Sequence, residues 1–320
     1  MNRWFVVALL CLSGFAFFHF RKVESETAFA ENAEASRKVL LLAGFESNNI
    51  VSYDIETNVA RDVIIFTELM SPRGIGQSSS GDLYVATRQG NKNVIRIGLP
   101  DARLEISDFT EPIGRYGPAQ SYVDDGDQIY VAGDTTHEVR VYLPDGTLGR
   151  SYQGKSIGGN VCGFAVSGQE LFTTHLFRGA VGKHTLGVDL PPMRFQMDPE
   201  VMKNAYGVLM DADGKLLVGG SRGNGQVLEL DAGTGEVLGV FVDLEEHGLG
   251  GVNSMAHFKE RGSYFVATAS GLIELDDTGR FVGRHDIDFI GNVAAICIAR
   301  DPQAVDRMAL MVSAGGMDFR

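Results

Sequence analysis

A short apolar strand pattern recurs along this chain every 42 to 48 residues, and this period restricts the fold more than any other feature of the sequence. Self-similarity at such a period is typical of repeat folds, in which each unit buries its apolar faces against its neighbours. The seven copies are Leu40–Gly44, Leu83–Thr87, Ile129–Gly133, Leu171–His175, Leu216–Gly220, Tyr264–Thr268 and Leu310–Ala314. The chain is therefore expected to fold as an array of similar units.

Each unit combines turn residues with further strand-like segments. Most copies follow a glycine turn, such as Ser80–Asp82 or Asp213–Lys215, where glycine supplies the positive φ of a tight hairpin. A second strand follows most copies after a short polar loop, as at Val94–Ile97 and Val139–Tyr142. Further turns and a preceding apolar run bring the unit to four strands in about 45 residues.

Four antiparallel strands at this period predict the blade of a β-propeller. The first copy has no inner strand before it, whereas Ala294–Ala299 precedes the last copy, so the N- and C-terminal strands are expected to complete one blade together. The predicted fold class is all-β, a six-bladed propeller of four-stranded antiparallel blades. Seven blades are the alternative if Leu310–Ala314 is a strand of its own. No helical segment stands out in residues 38–320.

The N-terminus carries an apolar run, Trp4–Phe20, preceded by Arg3. Ala28–Ala30 matches the small-x-small pattern of a signal-peptide cleavage site. We therefore expect a signal peptide at residues 1–30, a short linker at 31–37 and the propeller domain at 38–320. The alternative is an uncleaved anchor, because the run is nearly long enough for a short spanning helix. The predicted location is periplasmic or secreted, or membrane-anchored through residues 4–20.

Composition narrows the range of partners. The formal net charge of −13 argues against a nucleic acid, since phosphate binding needs a surplus of lysine and arginine on one face. Cys162 and Cys297 each lie in an apolar strand-like run, where free cysteine behaves as a small core residue. No CxxC or CxxCH sequence is present, which excludes a cysteine zinc site and c-type haem attachment. A small anionic molecule or a protein is the expected partner.

The blade segments Gly81–Ala86 and Val94–Ile97 resemble NHL-type repeats. They are also similar to the superfamily of gluconolactonase, regucalcin and strictosidine-synthase-like propellers. The resemblance covers about residues 38–320 and implies the architecture more than the function, because these residues build strands and turns. WD-repeat blades do not match, since Trp4 is the single tryptophan of the chain.

The first candidate site is a set of asparagines. In a propeller, each inner strand starts on the same face as the loop between the second and third strands, and we call this the funnel face. Asparagine recurs at four predicted inner-strand starts, Asn160, Asn204, Asn253 and Asn292. Their amide oxygens suit a hard cation such as Ca²⁺ at the channel mouth. The alternative is that each asparagine caps its own strand through a local hydrogen bond.

The resemblance implies a catalytic cation held at this place by Asn together with Asp or Glu. This sequence departs from that pattern, because no Asp or Glu occupies an aligned position. The departure puts both cation affinity and an activated water in doubt.

The second candidate site is a set of cationic and imidazole side chains. They lie in the predicted loops between second and third strands or, for the first, at an inner-strand start: Arg73, Arg88, His137, His175, Arg178 and Arg222. Arginine binds carboxylate or phosphate through paired hydrogen bonds, so a cluster on the funnel face predicts an anionic ligand. His175 is the candidate catalytic residue, as a general base. The alternative is that all six are solvated loop residues.

Three functions follow from these patterns. The first is an exported propeller that binds a small anionic ligand or a protein partner at the funnel face. The second is a cation-dependent hydrolase of the lactonase or esterase type, with the metal at the channel mouth. The third is a structural interaction domain without a small-molecule site. No GxSxG, HExxH or phosphate-loop sequence favours another enzyme class.

Overall fold

A computed structural model describes residues 37–66, 70–99, 103–221, 225–287, 290–313 and 317–319. All of the strands given below lie in the unit Val39–Arg320. The predicted leader at residues 1–30 and the linker up to residue 36 lie outside the described residues. Within the described residues, no helix is both long and apolar enough to cross a membrane.

Six blades of four antiparallel strands each follow one another along the chain. Blade 1 consists of β1 (Val39–Gly44), β2 (Asn49–Asp54), β3 (Val59–Ile65) and, as its inner strand, β24 (Val293–Ile298). Blade 2 consists of β4 (Pro72–Gln77), β5 (Leu83–Thr87), β6 (Val94–Gly98) and β7 (Leu104–Asp108). Blade 3 consists of β8 (Pro118–Val123), β9 (Ile129–Gly133), β10 (Glu138–Tyr142) and β11 (Leu148–Gln153).

The remaining blades have the same order from inner to outer strand. Blade 4 consists of β12 (Asn160–Ser167), β13 (Glu170–Leu176), β14 (Ala180–Thr185) and β15 (Met193–Gln196). Blade 5 consists of β16 (Ala205–Met210), β17 (Leu216–Gly220), β18 (Gln226–Leu230) and β19 (Val237–Asp243). Blade 6 consists of β20 (Val252–Phe258), β21 (Ser263–Thr268), β22 (Gly271–Asp276) and β23 (Phe281–His285). Short 3-10 helices occupy Leu244–His247 and Lys259–Arg261.

The six inner strands contact one another in a closed circle. The circle closes in blade 1, where β24 from the C-terminal end pairs with β1 from the N-terminal end, with Leu40 opposite Ile298. The prediction of a six-bladed propeller completed by both chain ends is confirmed, and the seven-bladed alternative is wrong.

The core consists of apolar clusters between neighbouring blades rather than one central mass. Each of the six described clusters joins two adjacent blades. In β1, Leu40 and Leu42 pack towards blade 6, whereas Leu41 and Ala43 pack towards blade 2. Successive side chains of a strand point to opposite faces, and both faces of this sheet are covered, so the strand is apolar without interruption.

Close approach of neighbouring inner strands explains a glycine near the start of β4. A Cβ atom on Gly74 would overlap the backbone of Gln120 and Ser121 in the next blade. The inner ends of blades converge on the channel, so there is least room for side chains at this point.

The C-terminal segment differs from the sequence expectation. The recurring pattern predicts a strand at Leu310–Ala314, but Pro302–Ser313 forms a helix, α1. Asp301 caps it by accepting a hydrogen bond from the Ala304 amide at 2.9 Å, and proline occupies the first helical position, where its missing N–H costs least.

Helical spacing explains why this segment is not a strand. Val305 and Met308 of α1 are buried against blades 1 and 2, three residues apart as on one face of a helix. A last strand, β25 (Met317–Phe319), pairs in parallel with β7 and adds a fifth strand to blade 2.

Candidate functional site

Every inner strand begins with a β-bulge at the funnel face. In five blades the pairing of the inner strand with the second strand skips one residue near the start of the inner strand, and in blade 5 it skips Tyr206 and Gly207 opposite Gly219. The residues at this bulge are Arg73, Ala119, Cys162, Tyr206, Asn253 and Ala294. A bulge bends its strand and redirects the neighbouring side chain, so these six positions frame the mouth of the channel.

The positions of the bulges show which of the four asparagines are structurally equivalent. Asn160, Asn204 and Asn292 each lie two residues before the bulge of their blade, whereas Asn253 is itself the bulge residue of blade 6. The predicted equivalence of the four positions is therefore wrong for Asn253. The reason is that strand pairing sets the register, while the loop before the strand varies in length.

Three of the four asparagine amides are engaged by protein groups. Asn160 Nδ2 donates to Asp134 Oδ1 at 2.8 Å. Asn253 Nδ2 donates to Asn292 Oδ1 at 3.1 Å and to the Val293 carbonyl at 2.9 Å. The Asn204 side chain is buried, and its Oδ1 has no hydrogen-bond partner among the described residues.

These contacts do not favour a cation at the channel mouth. Asp134, which accepts from Asn160, lies 3.6 Å from the guanidinium of Arg73. A guanidinium so close to the carboxylate competes electrostatically with any bound cation. Nor does the described part of the chain hold a group of three or more His, Cys, Asp or Glu side chains that suits a metal ion. The Ca²⁺ site stays a prediction, and the residues present do not fit it.

Arg73 spans the channel mouth. Its side chain is only 14% exposed, and it donates a hydrogen bond to the hydroxyl of Tyr206 in blade 5, the blade opposite its own. Asp134 of blade 3 supplies the carboxylate at 3.6 Å. A buried guanidinium needs such partners to offset its desolvation. Arg73 therefore ties three blades together at the top of the channel.

From Arg73 outwards, three arginine side chains alternate with two aromatic rings. Arg73 Cζ lies 5.6 Å from the centre of the Phe45 ring, and Arg88 Cζ lies 6.0 Å from the same centre. Arg88 Cζ is also 5.8 Å from the centre of the Tyr116 ring, with Arg115 Cζ at 5.3 Å from it. Each distance is within the range of a cation–π interaction. We call these five residues the arginine–aromatic ladder.

The outer part of the ladder is open to solvent and rich in positive charge. Phe45, Arg88, Lys92 and Tyr116 line a cavity of about 520 Å³. Arg88, Lys92 and Arg115 form no ion pair with a carboxylate of the described residues. An aromatic face holds a guanidinium without using its N–H groups, so these groups stay available to an anion.

The sequence pointed to Arg73 and Arg88 but missed Phe45, Tyr116 and Arg115. Phe45 directly follows β1, and Arg115 and Tyr116 come just before β8. Both places are loops on the funnel face. An aromatic residue in such a loop is the sequence feature that could have identified this part of the site.

The other predicted ligand-binding residues lie apart from the ladder. His137 Nδ1 is 2.5 Å from the Gly159 carbonyl, in a loop of blade 3 where its own φ is +57°. Arg178 is exposed in blade 4, and its carbonyl accepts a hydrogen bond from Gln196 Nε2 at 2.8 Å. Arg222 lies outside the described residues. No described contact joins His137 or Arg178 to the ladder.

His175 lies in the core rather than on the funnel surface. It is fully buried, with Nδ1 3.0 Å from the Gly158 carbonyl and Nε2 3.0 Å from Thr173 Oγ1. The same hydroxyl lies 3.4 Å from Nε2 of His184, which is also buried. Burial lowers the pKa of both imidazoles to about 4, so both rings are neutral at pH 7. The general-base role of His175 stays a prediction, and its surroundings favour a packing role.

We expect this buried pair to make stability depend on pH. In the unfolded chain both histidines take up protons near pH 6.5, whereas in the folded protein they resist protonation down to about pH 4. The free energy of unfolding therefore falls as the pH drops through this window, by up to about 1.4 kcal/mol per pH unit for each histidine. Urea unfolding between pH 7.5 and pH 4.5 measures the slope.

The double variant His175→Gln, His184→Gln separates this effect from the titration of carboxylates. It is expected to be less stable at pH 7.5 but to have a shallower pH dependence than the wild type. His247→Gln, at an exposed histidine, should keep the wild-type slope. An unchanged slope in the double variant would contradict the prediction.

Solved structures similar to this chain share its fold. A protein of unknown function from Bacteroides caccae matches with a TM-score of 0.64 and 13% identity, covering 83% of this chain and 100% of that one. A chain of a nidogen–laminin complex matches with a TM-score of 0.67 and 16% identity, covering 82% and 99%. A chain of a mitotic checkpoint complex matches with a TM-score of 0.55 and 14% identity, covering 78% and 75%. At these identities the likeness shows the propeller fold alone.

Comparison of the sequence with known proteins does not assign the chain to a family. No protein-family model matches the chain, and no curated protein matches it either.

Proposed function

We propose that this propeller is a binding protein that holds a carboxylate-bearing ligand on the arginine–aromatic ladder. The observation that carries the proposal is the gathering of Arg88, Lys92 and Arg115 around Tyr116 without a described carboxylate to neutralise them. Desolvating like charges together is unfavourable, so an anion that binds between them is stabilised by all three.

The contrast with the rest of the molecule supports this reading. The chain has a formal net charge of −13, so an uncompensated cluster of cations stands out against an acidic surface. Such local complementarity gives specificity, because other surface regions repel the same ligand. The inner end of the ladder is rigid, since Arg73 forms a hydrogen bond with Tyr206 and an ion pair with Asp134. A preorganised site loses less entropy on binding than a mobile one.

The carboxylate belongs either to a free small molecule or to an acidic segment of a protein. Two similar propellers come from structures of protein complexes, nidogen with laminin and the mitotic checkpoint complex. Aromatic and arginine side chains are also the commonest anchors of protein interfaces, which supports the protein partner. Titration with glutarate and with a peptide of six glutamates distinguishes the two sources.

The double variant Arg88→Gln, Arg115→Gln is expected to weaken binding of the hexaglutamate peptide by about tenfold, equivalent to about 1.4 kcal/mol. Both guanidinium groups disappear, while glutamine keeps the first three side-chain carbons of arginine and a polar end. Isothermal titration calorimetry with wild-type and variant protein measures the ratio of dissociation constants. Thermal unfolding of both proteins establishes that the variant is folded.

Arg280→Gln is the matched control. Arg280 is highly exposed in the turn between β22 and β23, on the face opposite the funnel, where it pairs with Asp276. This variant should bind the peptide as the wild type does. Equal weakening by the control would show non-specific charge attraction, and no effect of the double variant would refute the ladder as the binding site.

The finer family assignment and the location are also proposals. The blade sequences support placement near the NHL and gluconolactonase-type propellers, and the apolar run Trp4–Phe20 supports export. Mass spectrometry of the exported protein is expected to give a chain that begins at Glu31. A chain that begins at Met1 and stays with the membrane would favour the anchor.

A further inference from the structure

A second cavity lies in the channel, towards the face opposite the funnel. Its volume is about 410 Å³, and residues of all six inner strands line it. The lining runs from the middle of each inner strand to its end, as from Phe164 to Val166 in β12 and from Ser254 to His257 in β20. Inner strands begin at the funnel face, so Arg73 and Tyr206 lie between this half of the channel and the outer part of the ladder. The cavity is thus a site distinct from the one proposed above.

The walls of this cavity are mostly apolar. Phe164, Val208, Met210, Met255 and Ile296 come from four different blades. Small-molecule sites in proteins typically have 300–1,000 Å³ and a largely apolar lining, which this cavity matches. Apolar walls favour contact with an apolar molecule over contact with water.

Several polar groups around the cavity are already occupied by protein partners, whereas the buried Nδ1 of His257 in the lining has none among the described residues. Gln77 Oε1 accepts hydrogen bonds from the amides of Arg300 and Asp301 at 2.6 and 2.9 Å. The Arg300 guanidinium donates to the Asp124 and Val123 carbonyls at 2.8 and 2.9 Å. An acidic residue of the lining, Asp211, accepts from the Tyr264 hydroxyl and from turn amides. These groups therefore offer little to a charged ligand.

Three titratable groups of the lining, Cys297, Tyr122 and Arg300, are neutral or compensated. Burial raises the pKa of the Cys297 thiol to about 11 and raises the pKa of Tyr122, so neither is ionised at pH 7. Arg300 lies 3.0 Å from Asp125 and 3.7 Å from Asp127, which balance its charge. A ligand that enters the cavity meets no unbalanced charge among these groups, so charged molecules lose their hydration without compensation.

We propose that the lower half of the channel binds an uncharged, apolar small molecule. Burial of the ligand's apolar surface against the inner strands supplies the affinity. The site is independent of the carboxylate site, and each proposal can fail without the other.

The test uses the fluorescent probe N-phenyl-1-naphthylamine, which is uncharged and brightens in apolar surroundings. We expect saturable binding of one probe per chain. Two variants narrow the cavity from different places, Ala165→Phe on its wall and Ala212→Trp at an exposed lining position. Each is expected to weaken binding about tenfold or more. If one variant misfolds, the other still tests the site. Circular dichroism with thermal unfolding identifies a misfolded variant.

Ala60→Phe, on the outer strand β3 away from the channel, is the matched control and should bind the probe as the wild type does. An excess of hexaglutamate peptide should not displace the probe. The proposal is overturned if the wild type shows no saturable binding. It is equally overturned if folded Ala165→Phe and Ala212→Trp proteins bind as tightly as the control, because the probe then binds elsewhere.

Discussion

Replacing Glu274 by alanine is expected to reduce the free energy of unfolding by about 3–5 kcal/mol. Glu274 is only 4% exposed and bonds to three groups of blade 6: Ser263 Oγ at 2.9 Å, an Arg261 nitrogen at 3.1 Å and His285 Nε2 at 2.9 Å. His285 Nδ1 continues the chain of contacts, 2.6 Å from the Tyr53 hydroxyl in blade 1. Alanine would leave these polar groups buried or half-buried without their common acceptor.

Urea unfolding at pH 7 measures this loss. The control is Glu236→Ala, at an exposed glutamate in the turn between β18 and β19, which should change stability by less than about 0.5 kcal/mol. Glu274→Gln should lie between the two, since it keeps one acceptor oxygen. A loss below about 1 kcal/mol in Glu274→Ala would mean that water replaces the carboxylate, contrary to the prediction.

Gln77→Leu is expected to destabilise the closure of the propeller by about 2–4 kcal/mol. The Gln77 amide is almost fully buried at the end of β4 and makes four hydrogen bonds. Its Oε1 accepts from the Arg300 and Asp301 amides, and its Nε2 donates to the Gly81 and Asp301 carbonyls at 3.1 and 3.2 Å. Leucine has a similar volume but leaves these backbone groups unsatisfied where the chain leaves β24 and enters α1.

Two measurements separate a local effect from a global one. Urea unfolding gives the loss of stability, and limited trypsin digestion reports on the C-terminal segment. Cleavage after Arg300 or Arg307 should become faster in Gln77→Leu, because the segment opens without unfolding the other blades. Gln303→Ala, at an exposed glutamine of α1, should leave both measurements unchanged. Slow cleavage and wild-type stability in Gln77→Leu would show that Gln77 does not hold this closure.

Much of the architecture followed from local sequence chemistry. Leu40–Gly44 and its counterparts are buried on both faces, so they must be apolar throughout, and the glycine turns between strands need a positive φ. Both requirements repeat with each blade and are therefore visible as a period. The helix at Pro302–Ser313 has no counterpart in the other blades, and its apolar segment Leu310–Val312 resembled the recurring strand. Two features of the sequence indicate a helix instead: the aspartate–proline pair at the start of α1 and the helical spacing of its buried residues.

The candidate sites depended on contacts that no spacing along the chain reveals. By itself the sequence determined a closed propeller of repeating four-stranded units and the presence of arginines in the loops of its funnel face. Only the tertiary structure decided that Arg73 binds Tyr206 across the channel, that Arg88 lies between Phe45 and Tyr116, and that His175 is buried. The physical reason is that strand and turn formation depends on neighbours within a few residues, whereas a site forms where loops of different blades converge, and loop lengths and bulges set which side chains meet there.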